Sequence, residues 1–396
     1  MATGDAAFIK KINRSIIIKQ IIEQGMISRA DLSKITNLTR ATISAQVADL
    51  IEDGLLLETD QEHLSVGRKP IMLSLNSEAG YALGIDLDYG EINFTLSDLL
   101  GIKEHSETIK IDTIDYHEVL DILISQINKY IDACQDRRYG IVGIVIAIHG
   151  LVSKDEIIKF VPRFKWHDIR LKEDLQRAIN IDIFVENNAN LSSFAERVFI
   201  YHQADNLVST SFLSGIGLGV MVDNEFFRGN EGFAGEIGHM IVMPGGKPCN
   251  CGNFGCWEQY ASETSFFNEL SKKKGMESIT YTQVHNWLKE GDETVHQQME
   301  QFIYFLTIGL NNMINIYNPD VIVLDSELLR QNPAFIDEIK KNLVSSISHY
   351  RELSVSRIGK RSSVMGACAL AIKHFLEVPV LDLSFEEHKR KVKMKI

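Results

Sequence analysis

The sequence lacks an apolar run of 18 residues, the length that a membrane-spanning helix requires. It also begins without the basic and then apolar segment of a secretion signal, so we expect a cytoplasmic protein. Only five cysteines occur in 396 residues. Two of them, Cys134 and Cys368, stand in apolar surroundings that are typical of reduced thiols in a core.

A net positive charge is also absent, because the chain carries a formal charge of −12. Such a charge repels nucleic acid in general. The charge is unevenly distributed: residues 1–75 hold nine basic and nine acidic side chains, so residues 76–396 carry the whole excess. A neutral N-terminal segment remains able to bind DNA if its basic groups face one way.

The other three cysteines lie within eighteen residues of one histidine, in the set His239, Cys249, Cys251 and Cys256. One histidine and three cysteines form a closed tetrahedral Zn²⁺ shell with no position left for water, so the spacing predicts a structural zinc ion. Glu236 precedes the histidine by one helical turn, and Glu258 follows the last cysteine by two residues. We therefore expect the metal to fix both carboxylates.

Three helices are predicted near the N-terminus. Apolar residues recur at helical spacing over residues 8–24. Ser28 can cap a second helix, which ends near Asn37, a residue type that tolerates the left-handed conformation. Thr39 can cap a third helix that runs to Gly54. Helix, short turn and helix is the helix-turn-helix arrangement.

Two alternating segments, 55–58 and 71–75, then predict the strands of a wing with a basic loop between them. Small and polar side chains on the third helix suit a major groove, and the basic loop suits phosphates or the minor groove. We predict DNA contacts from Arg29, Thr39, Arg40, Ala41, Thr42, Ser44, Ala45, Gln46, Arg68 and Lys69. The alternative for this segment is a three-helix bundle that binds protein.

The rest of the chain predicts an α/β body of two similar lobes. Buried strands are expected over 81–88, 92–96 and 141–148, and the pattern restarts near residue 207. Two successive segments that begin with the same pattern of strands suggest a duplicated fold with a cleft between the lobes. We assign residues 1–77 to the winged helix-turn-helix, 78–196 to lobe 1 and 197–396 to lobe 2, with the C-terminal helix packing back on lobe 1.

These motifs resemble the ROK family (repressor, open reading frame, kinase), whose fold is that of actin and the sugar kinases. The resemblance covers nearly the whole chain. It includes the segment Gly235–His239, the cysteine cluster continuing into Glu258–Ser262, and the strand-turn Val185–Asn190. The winged N-terminus resembles that of the family's repressors, which its kinases lack, and the wing and the length are most similar to its xylose repressors.

The resemblance implies that ATP chemistry has been lost. Family kinases use an Asp as general base where this chain has Asn188, and an amide cannot accept the proton of a sugar hydroxyl. Their first phosphate turn, Asp-x-Gly-Gly-Thr, is replaced by Asp86–Gly90, and a glycine pair near the nucleotide by Asp325 and Ser326. Only Ser214–Gly217 still resembles a phosphate loop. We therefore expect no catalytic residue and no bound ATP.

The sugar side of the family pattern is retained. The resemblance implies sugar contacts from Asn187, Asn188, Glu236, His239 and Glu258, whose amides and carboxylates can pair with vicinal hydroxyls. Gly150 and the segment Phe164–Trp166 are further pocket candidates, the latter as an aromatic wall. For both of these, ordinary loop packing is an equally good interpretation.

We predict a sugar-responsive transcriptional repressor that is released from its operator by a monosaccharide, with xylose favoured. A homodimer on a palindromic operator is expected, since paired half-sites supply affinity that one module lacks. Two alternatives remain open: an active sugar kinase that carries a DNA-binding domain, and a repressor controlled by a protein partner.

Overall fold

The computed structural model describes residues 6–60 and 71–384, and its N-terminal part is a helix-turn-helix with a small antiparallel sheet. β3 lies at the centre of that sheet, between β1 and β2. Ser28 and Thr39 accept hydrogen bonds from the backbone of the helices that they precede, and Asn37 is left-handed at φ 56°. The elements are α1 (Ala6–Gln24), β1 (Ile27–Ser28), α2 (Arg29–Thr36), α3 (Arg40–Glu52), β2 (Leu56–Asp60) and β3 (Ile71–Leu75).

The first lobe is built on a five-stranded sheet of order β11-β7-β4-β5-β6. The pairs β11/β7 and β7/β4 are parallel, whereas β4, β5 and β6 form an antiparallel meander. The elements are β4 (Tyr81–Asp88), β5 (Glu91–Ser97), β6 (Lys103–Lys110), α4 (Tyr116–Ala133), β7 (Ile141–Ile148), β8 (Leu151–Val152), β9 (Ile158–Val161), β10 (Trp166–Ile169), α5 (Leu171–Gln176), β11 (Ile183–Asn187) and α6 (Asn188–Phe199).

The second lobe repeats this plan with a sheet of order β14-β13-β12-β15-β16, so the duplicated α/β fold is confirmed. The third strand of this lobe, β14, has only two residues, whereas the third strand of lobe 1, β6, has eight. The elements are β12 (Leu207–Ser211), β13 (Gly217–Val222), β14 (Glu225–Phe226), α7 (Glu258–Ala261), α8 (Glu263–Lys274), α9 (Tyr281–Glu290), α10 (Glu293–Tyr317), β15 (Val321–Asp325), α11 (Glu327–Gln331), α12 (Ala334–Asn342), β16 (Glu352–Val355) and α13 (Ser362–Leu376).

Helix α13 packs on α6 and against β4 and β7. Glycines allow this close approach: a Cβ on Gly84 would stand 2.5 Å from the carbonyl oxygen of Val364, and a Cβ on Gly366 would stand 1.9 Å from that of Leu191. Both distances are shorter than any real contact, so these two positions require glycine. The last helix of the described residues thereby joins the sheet of lobe 1 to the helix that begins at the cleft.

Among the helices within residues 6–60 and 71–384, none is long and apolar enough to cross a membrane.

Candidate metal cluster, interlobe cleft and DNA-binding surface

The cysteine cluster is formed by a loop that folds back on itself after a short 3-10 turn, Ile237–His239. The bridge Ile241↔Cys256 closes the loop, and Gly255 adopts φ 83° where a side chain would meet the carbonyl of Met243. The four donor atoms lie within 4.8 Å of one another. They belong to His239, Cys249, Cys251 and Cys256.

The spacing of these donors fits one tetrahedral ion. In a tetrahedron, Zn–S bonds of about 2.3 Å and Zn–N bonds of about 2.0 Å place a nitrogen and a sulfur ligand about 3.5 Å apart and two sulfur ligands about 3.8 Å apart. Cys249 Sγ lies 3.5 Å from His239 Nδ1, and Cys251 Sγ lies 3.6 Å from Cys256 Sγ. Burial raises the pKa of Cys256 to about 12, so a cation is needed to keep that thiolate at neutral pH. The four side chains can therefore hold a metal ion.

His239 has the cysteine cluster and Glu258 on one side of its ring and Glu236 on the other. Its Nδ1 faces Cys249 and lies 3.7 Å from Glu258 Oε1, whereas its Nε2 lies 3.9 Å from Glu236 Oε2. Glu258 also accepts a hydrogen bond from Cys249 Sγ at 3.1 Å. A metal on Nδ1 would leave Nε2 free to face the cleft beside Glu236.

Asn187 is the last residue of β11 and Asn188 is the first residue of α6, and their side chains make different hydrogen bonds. Asn187 Oδ1 caps α6 by accepting hydrogen bonds from the amides of Ala189 and Asn190, and its Nδ2 donates to the carbonyl of Gly150 at 2.8 Å. Asn188 is half-buried at the first position of the helix. Asn187 therefore shapes the cleft wall, and Asn188 has the freer amide.

All five of the predicted sugar contacts line a single cleft between the lobes, with a volume of about 2530 Å³. They are Asn187, Asn188, Glu236, His239 and Glu258. Gly150 lines the same cleft, and a Cβ there would stand 2.3 Å from the carbonyl oxygen of Phe160. The volume greatly exceeds that of a monosaccharide, and the cleft extends to Glu263, Tyr281 and Asp325 of lobe 2.

The predicted aromatic wall is wrong. Phe164 and Trp166 are buried in the core of lobe 1, and the indole of Trp166 donates to the carbonyl of Ile114 at 2.8 Å. The cleft is lined instead by Phe160, Pro162 and Arg163. The path of β9 and of the loop after it determines which aromatic side chains face the core and which face the cleft. The presence of several aromatic residues in the segment does not predict this orientation.

A histidine-carboxylate pair lies at the carboxyl ends of the parallel strands β4 and β7, and the sequence analysis did not identify it. His149 Nε2 lies 2.7 Å from Asp86 Oδ1. Burial lowers the pKa of His149, but the hydrogen bond to Asp86 and the charges of Asp86 and Asp88 outweigh it, so the net pKa is raised. The signal in the sequence was that each residue stands at the end of a predicted strand, but the sequence did not show that these two strands are neighbours.

Two buried carboxylates lie on the lobe 2 side of the cleft. Asp325 is buried and accepts a hydrogen bond from Arg330 Nη2 at 2.6 Å. Burial raises the pKa of Asp325, and Arg330 opposes the increase. Glu263 accepts hydrogen bonds from Ser326 Oγ and from the hydroxyl of Tyr281. Both acids line the cleft.

The predicted DNA-binding residues of α3 lie largely on its exposed side. Arg40, Ala41, Ser44 and Ala45 are exposed with the preceding Thr39, and Thr42 is half-buried. Gln46 is a correction: it is 7 % exposed, because it lies on the face that packs against the domain core with Val47.

Arg29 is half-buried at the start of α2 and forms an ion pair with Glu58 of β2. Arg68 and Lys69 lie outside the described residues. The exposed surface of the helix-turn-helix, from which we predict base contacts, is thus the N-terminal half of α3.

Comparison with known proteins agrees with this architecture. The ROK family model matches residues 82–374. The xylose repressor of Bacillus subtilis is 35% identical over 383 residues, which are 96% of this chain and 99% of that protein. The chain belongs to the ROK family. The xylose repressor of Caldicellulosiruptor bescii is 30% identical to this ROK protein, over 95% of this chain and 99% of the repressor.

Solved ROK structures show the same fold. The crystal structure of a ROK family transcriptional regulator, a homologue of the Escherichia coli MLC protein, aligns with a TM-score of 0.82 at 27% identity. It covers 93% of this chain and 97% of that regulator, so the likeness includes the N-terminal part. A ROK glucokinase from Streptomyces griseus in complex with glucose and AMPPNP aligns with a TM-score of 0.63 at 20% identity, over 74% of this chain and 99% of the kinase.

Proposed function

We propose that this ROK protein is a transcriptional repressor that a monosaccharide, xylose first among them, releases from its operator. The observation that carries the proposal is the near-complete coverage of relatives named xylose repressors, which extends through the helix-turn-helix as well as the sugar-kinase-like body. The exposed side of α3 supports DNA binding. Carboxylates, amides and His239 grouped in one cleft support recognition of a polyol.

Zinc is the ion that best suits the cysteine cluster. Three thiolates and an imidazole are soft or borderline ligands, and four of them in a tetrahedron leave no open position for catalysis. Glu258, the first residue of α7, lies two residues beyond Cys256, and His239 lies beside Glu236. Such an ion would brace the cleft wall and take no part in a reaction.

Three replacements argue against phosphotransfer. Asn188 offers no general base, and Tyr89, which is 53% exposed, fills the turn where family kinases have glycine. Asp325 adds a buried acid on the nucleotide side. Because a polyphosphate needs cationic and backbone donors, each change weakens ATP binding or the reaction.

The test measures operator affinity with and without sugar. A duplex selected by the full-length protein from a random library is bound in a fluorescence anisotropy titration, and D-xylose, D-glucose and L-arabinose are added in turn. We expect one sugar, D-xylose, to weaken the binding by about 5- to 150-fold, the usual range of an allosteric coupling. Unchanged affinity at saturating concentrations of every sugar would remove the induction model.

A coupled assay for ADP release, run with the same sugars, tests the remaining activity. We expect no sugar-dependent turnover. Sedimentation of the complex with the duplex gives the number of chains bound, and we expect two on a palindromic site.

A further inference from the structure

Helix α13 runs from the cleft to the helix-turn-helix. Its first residues, Ser362–Met365, line the cleft. Its last turn reaches the N-terminal domain, where Glu377 at its C-cap accepts a hydrogen bond from Lys11 of α1 at 2.7 Å. Fifteen residues at about 1.5 Å each span about 22 Å. Helix α13 thus contacts both the cleft and the helix-turn-helix, the two sites that must be coupled in a sugar-responsive repressor.

The cleft end of α13 is fastened to α6, the helix that begins with Asn188. Ser362 Oγ lies 3.0 Å from Ser192 Oγ, and the backbone of α13 at Gly366 touches that of α6 at Leu191. The opposite side of α13 touches β4 at Gly84. Backbone-to-backbone packing of this kind leaves few side-chain rotations to absorb a shift, so a displacement of α6 is carried into α13.

Tyr139 lies between the far end of α13 and α3, the proposed recognition helix (Arg40–Glu52). The ring of Phe375 contacts that of Tyr139, with centroids 5.1 Å apart. The hydroxyl of Tyr139 donates to the carbonyl of Asp53 at 2.9 Å, and Asp53 is the C-cap of α3. The Asp53 carboxylate in turn accepts a hydrogen bond from Arg14 of α1 at 2.8 Å.

The backbone of Tyr139 also holds the segment that joins the domains, because its amide donates to the carbonyl of Ala79 at 2.9 Å. Tyr139 therefore contacts α13, the end of α3 and the connecting segment together. A substitution at Tyr139 can therefore disturb the contact between the domains without changing a residue of the cleft or of the DNA-binding surface.

We propose that α13 transmits occupancy of the cleft to the recognition helix, and that Tyr139 is the positioning residue that couples them. This inference rests on the proposed function. The sugar shifts α6 and α13 relative to the sheet of lobe 1, Phe375 shifts the ring of Tyr139, and the hydrogen bond to Asp53 transfers that shift to the end of α3.

The test uses the full-length Tyr139→Phe variant, which keeps the ring against Phe375 and removes only the hydroxyl that donates to Asp53. The matched control is Tyr116→Phe, which removes a hydroxyl bonded to Asp174 at 2.6 Å on the other side of lobe 1. The readout is the coupling ratio, the operator dissociation constant with saturating D-xylose divided by that without it. Calorimetry measures D-xylose affinity in each variant.

A neutral hydrogen bond contributes on the order of 1 kcal/mol, which is about fivefold in an equilibrium constant. We expect Tyr139→Phe to lower the coupling ratio about fivefold while D-xylose affinity stays within twofold of that of the wild type. Phe375→Leu, which weakens the other contact of Tyr139, should lower the ratio as well. Tyr116→Phe should leave it unchanged.

Equal ratios in the wild type and Tyr139→Phe would overturn the coupling role of Tyr139, as would an equal loss in Tyr116→Phe. A wild-type ratio of one refutes the proposed function itself. A normal wild-type ratio that Tyr139→Phe preserves refutes only the inference about α13.

Discussion

Glu196 should make the stability of the protein depend on pH. It lies on α6 with its carboxylate fully buried, and its Oε1 accepts a hydrogen bond from Ser356. Its Oε2 has no hydrogen-bond partner within the described part of the chain. Burial raises the pKa of Glu196 from 4.5 to about 7, the hydrogen bond from Ser356 opposes this, and the nearby Asp325 adds to it.

The sign follows from the bound proton. Between pH 4.5 and about 7 the folded protein holds a proton on Glu196 that the unfolded chain has released. The contribution of this group to stability is therefore fully present below pH 4.5 and is lost as the pH rises towards 7. The difference between the two pKa values corresponds to about 3 kcal/mol.

The Glu196→Gln variant is neutral at every pH and isolates this contribution. We expect wild type and variant to have similar urea midpoints at pH 5, and the variant to be more stable by up to about 3 kcal/mol at pH 8. Intrinsic tryptophan fluorescence follows unfolding, and Glu300→Gln, an exposed change on α10, is the control. Parallel pH curves for wild type and Glu196→Gln would show that the buried carboxyl does not titrate as described.

Three further predictions concern the metal and the cleft. Cys251→Ala should lower bound zinc, measured by mass spectrometry of the purified protein, from about one ion per chain to nearly none, while the core variant Cys134→Ala keeps its metal. Glu236→Gln should weaken D-xylose binding by about tenfold or more in calorimetry, since hydrogen bonds to a charged group contribute about 1.5–3 kcal/mol; unchanged affinity would remove Glu236 from the site. Asn188→Asp should not restore sugar phosphorylation in a coupled assay, because Tyr89 and Asp325 remain, and measurable turnover would contradict that reasoning.

The local features of the fold were predictable from the sequence, and the structure confirms them. Ser28, Thr39 and Asn37 behave as the caps and the turn that their residue types favour. These features depend on a few neighbouring residues, so no distant contact changes them. The buried strands expected over 81–88, 92–96 and 141–148 were likewise identified from their apolar runs, whereas the short strands β8, β9, β10, β14 and β16 were not predicted.

The wrong predictions concern which face of a helix or strand is buried, because tertiary packing determines this. Gln46 was assigned to the DNA surface because glutamine suits adenine, but the face of α3 that packs inward includes it. For Phe164 and Trp166 an aromatic wall of the cleft and ordinary packing were equally good interpretations, and the structure shows packing, because both rings complete the core of lobe 1. Conversely, His149 and Asp86 meet only because β4 and β7 are parallel neighbours, which no local pattern specifies.

The residues that replace the kinase motifs in the cleft change the consequence of sugar binding. A kinase releases its product after each turnover, whereas a cleft without a general base holds its sugar at equilibrium. Only the difference in sugar affinity between two lobe arrangements can then shift the operator complex. A ligand at about 100 times its dissociation constant contributes about 2.7 kcal/mol to the state that it prefers, which lies within the usual coupling range of 1–3 kcal/mol. A weakly bound, abundant sugar is therefore sufficient as an inducer, because the shift depends on the ratio of the sugar concentration to its dissociation constant.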